Sequence, residues 1–357
     1  MKNKRTILVL LLGLWCGGCS SVRPVTPNAS PEAVALLKYI HGISGQHTLT
    51  GQHNYPDTKD TSTRQAAEAW GKTPAIFGQD FGFAKPGDKD AVAARPDIIA
   101  EVKRQYEKGS IIALCWHAVP PTADEPVTFR SRPGAAATTN LATVQGQLTD
   151  EQWNELITPG TKLNQHWCDQ VDVIAGFLKQ LRDAHIPVLW RPYHEMNGDW
   201  FWWGGKDPAT FIKLWQQMFN YFTKTKGLDN LLWVYAPNHG DKTTAYYPGD
   251  RYVDLAGLDA YTDFIDTNHI KGYAEVAQIK KPFGFTEFGP HGPSNPPGDY
   301  DYLRFIQGVQ KDFPRTVFFM SWNAKWSLAR NTNTTELLNH PRIVNREDLP
   351  KGLAGSP

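Results

Sequence analysis

The sequence is poor in cysteine and methionine, and it has little that would suit a membrane span or a nucleic-acid partner. Its 357 residues include four of each sulfur-containing type. The apolar run Ile7–Trp15 is too short to cross a bilayer, and no block of lysine and arginine follows it, which argues against binding to nucleic acid. Metal-ligand spacings, a Gly-rich phosphate loop and a nucleophile elbow are also missing. We therefore expect neither a metal nor another cofactor.

The amino terminus reads as a targeting segment. A basic start and a short apolar run precede Gly17-Gly18-Cys19, which resembles the cleavage site of a bacterial lipoprotein. The usual leucine three places before the cysteine is absent, so an ordinary secretory signal stays an alternative. We predict a signal segment over 1–19 with Cys19 lipidated, and a polar, Pro-rich tether over 20–34. The protein would then be exported and held to a bacterial membrane only through its lipid.

Charge and cysteine content of the mature chain add two expectations. Removal of the signal segment leaves 34 basic and 36 acidic residues, a net charge of −2, and a near-neutral surface suits an uncharged polymer. Cys115 and Cys168 remain. In an oxidising compartment they could form a disulfide, and two free thiols are equally compatible with the sequence.

The remainder of the chain alternates short apolar runs with amphipathic stretches. Apolar residues recur every three or four positions from Trp167 to Leu181 and from Phe211 to Phe222, as in helices with one buried face. Strand–helix alternation repeated eight times predicts a single (β/α)8 barrel over 35–345, followed by a tail over 346–357. The predicted strands are Leu49–His53, Ala75–Asp80, Ile111–His117, Pro187–His194, Leu231–Pro237, Leu255–Tyr261, Phe283–Phe288 and Val317–Trp322.

Polar residues interrupt the carboxyl ends of these strands, where a barrel builds its catalytic mouth. Two carboxylates, Glu195 and Glu287, follow strands four and seven, with aromatic residues around them. Hydrolysis of a glycoside with retention needs one protonated and one ionised carboxyl about 5–5.5 Å apart. Each glutamate could instead be a salt-bridge partner, for example Glu195 with Arg191. The pair together favours catalysis.

Two segments carry a family resemblance. WRPYHEMNGDWFWWGG (190–205) and GFTEFGP (284–290) resemble the two signatures of glycoside hydrolase family 26, whose best-known members are β-mannanases. The resemblance implies a barrel in which Glu195 is the acid/base and Glu287 the nucleophile. It also implies substrate-binding roles for further aromatic and imidazole side chains, namely His117, His194, Trp200, Tyr261 and Trp322.

Other residues of the mouth are candidates by position alone. We predict that Trp116 and Asp80 also contact substrate. Trp202 and Trp203 could face sugar or pack beneath the loop that carries them. Further candidates with weaker support are His53 and Asp259. The long Pro-, Gly- and Thr-rich loop over 118–163 should lie on the same face.

The expected function is retaining hydrolysis of β-1,4-linked mannan, galactomannan or glucomannan by a monomer. A β-1,3-xylanase or a mixed-linkage β-glucanase fits the same resemblance. A surface glycan-binding lipoprotein without turnover is a third possibility, which the intact glutamate pair disfavours. The sequence leaves open whether cleavage is internal or releases mannobiose from chain ends.

Overall fold

The computed structural model describes residues 22–82, 92–129, 142–290 and 298–355, and it confirms the predicted barrel. Eight parallel strands pair in chain order, and β1 contacts both β2 and β8, which closes the sheet. Nearly every strand residue is buried, as expected for parallel strands covered on both faces. The strands are β1 (Thr48–His53), β2 (Ile76–Asp80), β3 (Ile111–Trp116), β4 (Val188–Pro192), β5 (Leu231–Tyr235), β6 (Leu255–Tyr261), β7 (Phe283–Gly289) and β8 (Thr316–Ser321).

Helices surround the barrel and connect its strands. The long ones bury one apolar face against the sheet, as their three- and four-residue periodicity predicts. They are α1 (Pro31–Gly42), α2 (Thr61–Trp70), α3 (Arg95–Glu107), α4 (Asp150–Leu156), α5 (Lys162–Arg182), α6 (Pro208–Asn220), α7 (Tyr273–Val276), α8 (Tyr302–Asp312) and α9 (Thr334–Leu338). Within the described ranges, no helix is long and apolar enough to cross a membrane.

A ninth strand, β9 (Ile343–Val344), pairs in parallel with β1 outside the barrel. The sequence did not predict it, because two residues carry no readable period. The predicted bounds of the eight barrel strands agree with the structure to within two residues. β4 and β5 each end two residues before their predicted bounds, and β4 ends at Pro192 because the chain turns sharply at Tyr193.

The amino-terminal end of the barrel is closed by α1. Ser30 caps this helix by accepting a hydrogen bond from the Ala33 amide at 3.2 Å, and a proline stands in its first turn. Leu36 and Ile40 face the barrel and pack with the first apolar residues of several strands. This end of the barrel is called the lower face below, and the opposite end, where the strands finish, is called the mouth.

Residues 22–30, predicted as part of a tether, lie against the lower face. The Val25 amide donates to Asp254 Oδ1 at 2.8 Å, and Thr26 Oγ1 donates to the Leu231 carbonyl at 2.7 Å. The Ser30 amide donates to the Asp229 carbonyl at 2.9 Å. The composition of residues 22–30 suggested a flexible linker. Instead, three of their hydrogen-bond donors are paired with acceptors at the start of β5 and β6. We call this segment the N-terminal strap.

Cys115 and Cys168 are both free thiols. Cys115 is buried in β3, whereas Cys168 is half-buried on α5, so the two side chains belong to different layers of the fold. Of the two possibilities that the sequence left open, the structure therefore selects free thiols over a disulfide.

Candidate active site

The turn after β4 holds its residues in unusual backbone conformations. Tyr193 and Glu195 have φ of +46° and +55°, in the left-handed region that large side chains rarely adopt. The Glu195 amide donates to the Ala236 carbonyl at 2.7 Å, and Trp203 Nε1 donates to the His194 carbonyl at 2.7 Å. Such conformations cost about 1–3 kcal/mol each and persist only where their surroundings impose them. Here they turn the Glu195 side chain toward the mouth.

Glu195 is in an environment that favours its protonated form. Its side chain is partly buried, and Oε2 accepts a hydrogen bond from Trp200 Nε1 at 2.7 Å. Burial raises the pKa of Glu195 to about 8, with a further contribution from the negative charge of Glu287, while the Trp200 hydrogen bond and Arg191 act in the opposite direction. Glu195 therefore keeps its proton at neutral pH, as a general acid must.

Glu287 is held by two donors. Tyr261 Oη donates to Oε2 at 2.6 Å, and Arg191 Nη2 donates to Oε1 at 2.6 Å. The carboxylate is almost fully buried, and its bond to the guanidinium is charge-assisted. The two neighbouring glutamates thus differ in their surroundings, because Glu195 accepts from one indole and Glu287 from a guanidinium and a phenol.

Asp259 supports Glu287 from below rather than facing substrate. Its carboxylate is fully buried, accepting from Arg191 Nη1 at 2.9 Å and from Thr286 Oγ1 at 2.5 Å. A register shift in the β6–β7 ladder pairs Leu258 with Phe285 but Asp259 with Glu287, so Thr286 is an extra residue. Such a bulge re-aims the following side chain, here Glu287. The sequence had suggested Arg191 as a partner of Glu195, and the structure pairs it with Asp259 and Glu287 instead.

Two histidines and an aspartate form a buried chain that ends beside Glu287. Asp80 accepts a short hydrogen bond from His117 Nδ1, and Gly82 donates its amide to the same carboxylate at 2.7 Å. On the other side of the ring, His117 Nε2 lies within hydrogen-bond distance of His194 Nε2, at 3.1 Å. His194 Nε2 is also 3.8 Å from Glu287 Oε1.

In this hydrogen-bonded chain, Asp80 and His194 lie beneath the surface of the site that faces the mouth. They are 2% and 1% exposed. Burial, followed by the charge of Arg191, holds the pKa of His194 well below its ordinary value, so the imidazole is neutral. The prediction that Asp80 contacts sugar is not what the geometry favours, because its carboxylate is directed to His117. Asp80 orients His117, which in turn orients His194.

Trp322, at the end of β8, is stacked on His53. Their ring centroids are 3.9 Å apart with an interplanar angle of 19°. His53 Nδ1 accepts from Asn323 Nδ2 at 3.3 Å, and Nε2 lies 3.7 Å from Cys115 Sγ. Burial lowers the pKa of His53 to about 3, so a flat, neutral ring supports the indole. The half-buried Trp322 thereby has a fixed orientation at the rim of the site.

Three tryptophans that the sequence placed near the mouth are core residues. Trp116 is 2% exposed and packs between the sheet and the helices, because neighbouring residues of a strand point to opposite faces and His117 takes the inner one. This position speaks against the prediction that Trp116 contacts substrate. Trp202 and Trp203 are fully buried as well, and Trp202 Nε1 donates to the Ala118 carbonyl at 2.8 Å.

Phe129 and Phe201 are aromatic neighbours of the site that the sequence reasoning missed. Phe201 stacks on Trp203 at 4.4 Å and meets the edge of His117 at 5.2 Å. Phe129, from the long loop after β3, lies 6.3 Å from His117. The Trp202 amide donates to the Val144 carbonyl at 2.9 Å, which ties this loop to the turn after β4. Residues 130–141 of the loop lie outside the described residues.

Among the residues that the structure describes, two sets of buried side chains offer donor atoms close enough for one metal ion. They are Asp80 with Cys115 and His117, and His194 with Asp259 and Glu287. Both sets are accounted for by their own hydrogen bonds and ion pairs: Asp80 accepts from His117, and Arg191 neutralises the two acids of the second set.

Comparisons with known proteins agree with this geometry. The profile of glycosyl hydrolase family 26 matches residues 25–348. A mannan endo-1,4-beta-mannosidase of Bacillus subtilis is 31% identical over 97% of this chain and 95% of its own length. The structure of the Bacillus subtilis mannanase BCman has a TM-score of 0.79 at 29% identity, covering 93% of this chain and 97% of that one.

A second solved structure contains a bound sugar. It is a beta-mannanase from a symbiotic protist of the termite Reticulitermes speratus, complexed with gluco-manno-oligosaccharide. Its TM-score is 0.71 at 26% identity, and the match covers 92% of this chain and 98% of that one.

Proposed function

Because the chain belongs to glycosyl hydrolase family 26, we propose that it hydrolyses β-1,4-mannosidic linkages within mannan chains, with retention of configuration. The observation that carries the proposal is a pair of neighbouring glutamates in different surroundings. Burial and the nearby charge keep Glu195 protonated, whereas Arg191 and Tyr261 each donate a hydrogen bond to Glu287. A retaining glycosidase needs this combination of acid and nucleophile.

In the first step, Glu287 attacks the anomeric carbon of the sugar. The bond from that carbon to the glycosidic oxygen breaks, and its electron pair stays on the oxygen, which takes the proton of Glu195. The products are a glycosyl ester on Glu287 and a shortened sugar chain with a new hydroxyl group. Tyr261 and Arg191 orient the attacking carboxylate, because each donates to one of its oxygens.

In the second step, the proton affinity of Glu195 falls. The negative charge of Glu287, which helps to raise the pKa of Glu195, disappears in the ester. Glu195 is then a carboxylate that can accept a proton from water. The water oxygen attacks the anomeric carbon, the ester bond breaks, and Glu287 returns to its ionised form.

The choice of mannan as the substrate rests on the names of the relatives and not on the geometry of the site alone. The relatives reported above are named as mannan-cleaving enzymes, and one of them binds a gluco-manno-oligosaccharide. None of these names favours β-1,3-xylan or mixed-linkage glucan. Internal cleavage follows the endo-acting name of the relative from Bacillus subtilis. We further propose that the enzyme acts as a monomer, because one chain supplies every site residue named above.

A reducing-sugar assay on mannan, lichenan and β-1,3-xylan tests the substrate. We expect release from mannan, with a mixture of oligosaccharide lengths early in the reaction. Mannobiose as the sole early product would contradict internal cleavage. Release only from lichenan or xylan would contradict the substrate, and binding of mannan without release would contradict catalysis.

The roles of the two glutamates are separated by chemical rescue. Glu195→Ala should abolish mannan hydrolysis but spare the first step on an aryl mannoside with a very acidic phenol, which departs without a proton. Azide should then restore turnover and give the β-azide by retention. Glu287→Ala should be inactive on both substrates and give at best the inverted α-azide. Proton NMR gives the anomeric configuration of the azide adduct from each variant. An α-azide from Glu195→Ala and a β-azide from Glu287→Ala would show that the two roles are reversed.

We also propose that the enzyme is exported and anchored through a lipid on Cys19, as the Gly17-Gly18-Cys19 pattern indicates. Cys19→Ala should turn a membrane-bound protein into a soluble one or block its processing. Fractionation of cells that express either form measures this. Wild-type protein in the medium, with an unmodified amino terminus, would contradict the anchor.

A further inference from the structure

The N-terminal strap fixes where the chain leaves the barrel. Its hydrogen bonds from Val25, Thr26 and Ser30 reach residues at the start of β5 and β6, on the lower face. Thr26 is buried, and Pro24 and Pro27 restrict the backbone on either side of it. The strap is therefore part of the folded barrel.

Little chain separates the strap from the proposed lipid. Cys19 stands three positions before Val22, and three residues span at most about 10 Å even when fully extended. A flexible linker of many residues would let the barrel adopt any orientation on a membrane. A connection this short keeps the strap, and the lower face to which it is bonded, next to the lipid headgroups.

The charge distribution points in the same direction. The turns that lead into β3, β6, β7 and β8 expose basic side chains on the lower face, although Glu107 and Asp250 lie among them; the basic residues are Lys108, Arg251, Lys280 and Arg315. The mouth side exposes acidic side chains on the turns after β1, β4 and β5, namely Asp57, Asp199 and Asp241, although Lys59 and Lys242 lie among them. Anionic lipid headgroups therefore attract the basic set on the lower face more strongly than the mixed set at the mouth.

We propose that the lower face of the barrel lies against the bilayer surface, so that the catalytic mouth opens away from the membrane. The partner of this face is a lipid surface that contains anionic headgroups. The inference rests on the lipid anchor proposed above and not on the identity of the substrate. Its consequence is that a polymer reaches Glu195 and Glu287 without passing between the barrel and the membrane.

Energy transfer to labelled lipid tests the orientation. The full-length lipoprotein is reconstituted into vesicles of phosphatidylethanolamine and phosphatidylglycerol with an acceptor dye on the outer headgroups. The donor dye is attached to Thr225→Cys, at the end of the helix that leads to β5, or to Thr267→Cys, in the loop after β6. Both threonines are exposed, so they are matched controls for each other. Cys168→Ser removes the partly exposed native thiol, and Cys115 is buried.

We expect severalfold more energy transfer from position 225 than from position 267. The barrel strands contain five to seven residues, so at about 3.3 Å per residue the two faces are about 20 Å apart. A long Gly/Ser linker inserted between Ser21 and Val22 should leave the protein on the vesicles but remove most of this difference. Hydrolysis of a soluble mannan oligosaccharide should be the same with and without the linker.

Three results would contradict the proposal in distinguishable ways. Protein that stays in solution refutes the lipid anchor and the orientation together. Vesicle-bound protein with equal transfer from both positions, or more from position 267, refutes the orientation alone. An unchanged difference after insertion of the linker shows that the short connection is not what orients the barrel. Loss of hydrolysis without any of these results would concern only the proposed catalytic function.

Discussion

Replacing Glu195, the proposed catalytic acid, should stabilise the protein at neutral pH. Glu195→Gln keeps the size of the side chain and an acceptor for Trp200 Nε1, which now bonds to Oε2 at 2.7 Å. It removes a group that burial forces to remain protonated when the unfolded chain would release its proton. The variant should therefore be inactive on mannan but harder to unfold.

The magnitude follows from the pKa of Glu195, which is raised from an ordinary value of 4.5 to about 8. Below pH 4.5 both states hold the proton and the group has no effect on stability. Above it, only the unfolded state releases the proton, so the folded state loses about 1.4 kcal/mol per pH unit until the pH reaches the folded pKa. At pH 7 this amounts to about 3 kcal/mol. Because the side chain is partly exposed, we expect a gain of about 1–3 kcal/mol for Glu195→Gln.

Denaturant unfolding at pH 4 and at pH 7 measures the effect. The free energy of unfolding of Glu195→Gln should match that of the wild type at pH 4 and exceed it at pH 7. Asp199→Asn is the control, because it removes an exposed carboxylate four residues away and should follow the wild type at both pH values. A variant no more stable than the wild type at pH 7, or an equal gain at both pH values, would refute the reasoning.

Three further predictions concern neighbouring groups. Tyr261→Phe removes a charge-assisted hydrogen bond of 2.6 Å to Glu287 and should lower kcat by about 10- to 100-fold at an unchanged melting temperature; unchanged kcat would show that this donor does not orient the nucleophile. Trp322→Ala should reduce turnover far more than thermal stability, because the indole is only half-buried; a large loss of melting temperature with full specific activity would identify it as a core residue. Because Cys115 and Cys168 are free thiols, a reductant should not alter the melting temperature. A thiol reagent added after denaturation should react with both cysteines. A fall in melting temperature on reduction would indicate a disulfide.

The sequence determined the architecture and identified the two glutamates that we propose as the reacting pair. Eight continuous apolar runs predicted the strands, since a parallel strand in a barrel is buried on both faces. Polar residues at the ends of those runs identified the mouth, because all parallel strands finish on one side. Glu195 and Glu287 were predicted in this way and by resemblance to the family, and both lie in the site.

The alternation of side-chain direction along a strand could have corrected the prediction for Trp116 from the sequence alone. Trp116 and His117 are adjacent, so only one of them can face the interior of the barrel.

The hydrogen-bonded chain of Asp80, His117 and His194 could not be predicted in this way, because each residue comes from a different strand. Its hydrogen bonds depend on the register between strands, which no local pattern encodes.

Only the tertiary structure decided how the surroundings of Glu195 and Glu287 differ. The bulge at Thr286 pairs Asp259 with Glu287 and places Arg191 between them, and the left-handed turn at Glu195 directs the acid toward the mouth. The N-terminal strap is a similar case, because its composition is that of a linker and its bonding partners lie some 200 residues away. A pKa or a buried hydrogen bond is set by what surrounds a group in space, and only folding brings those surroundings together.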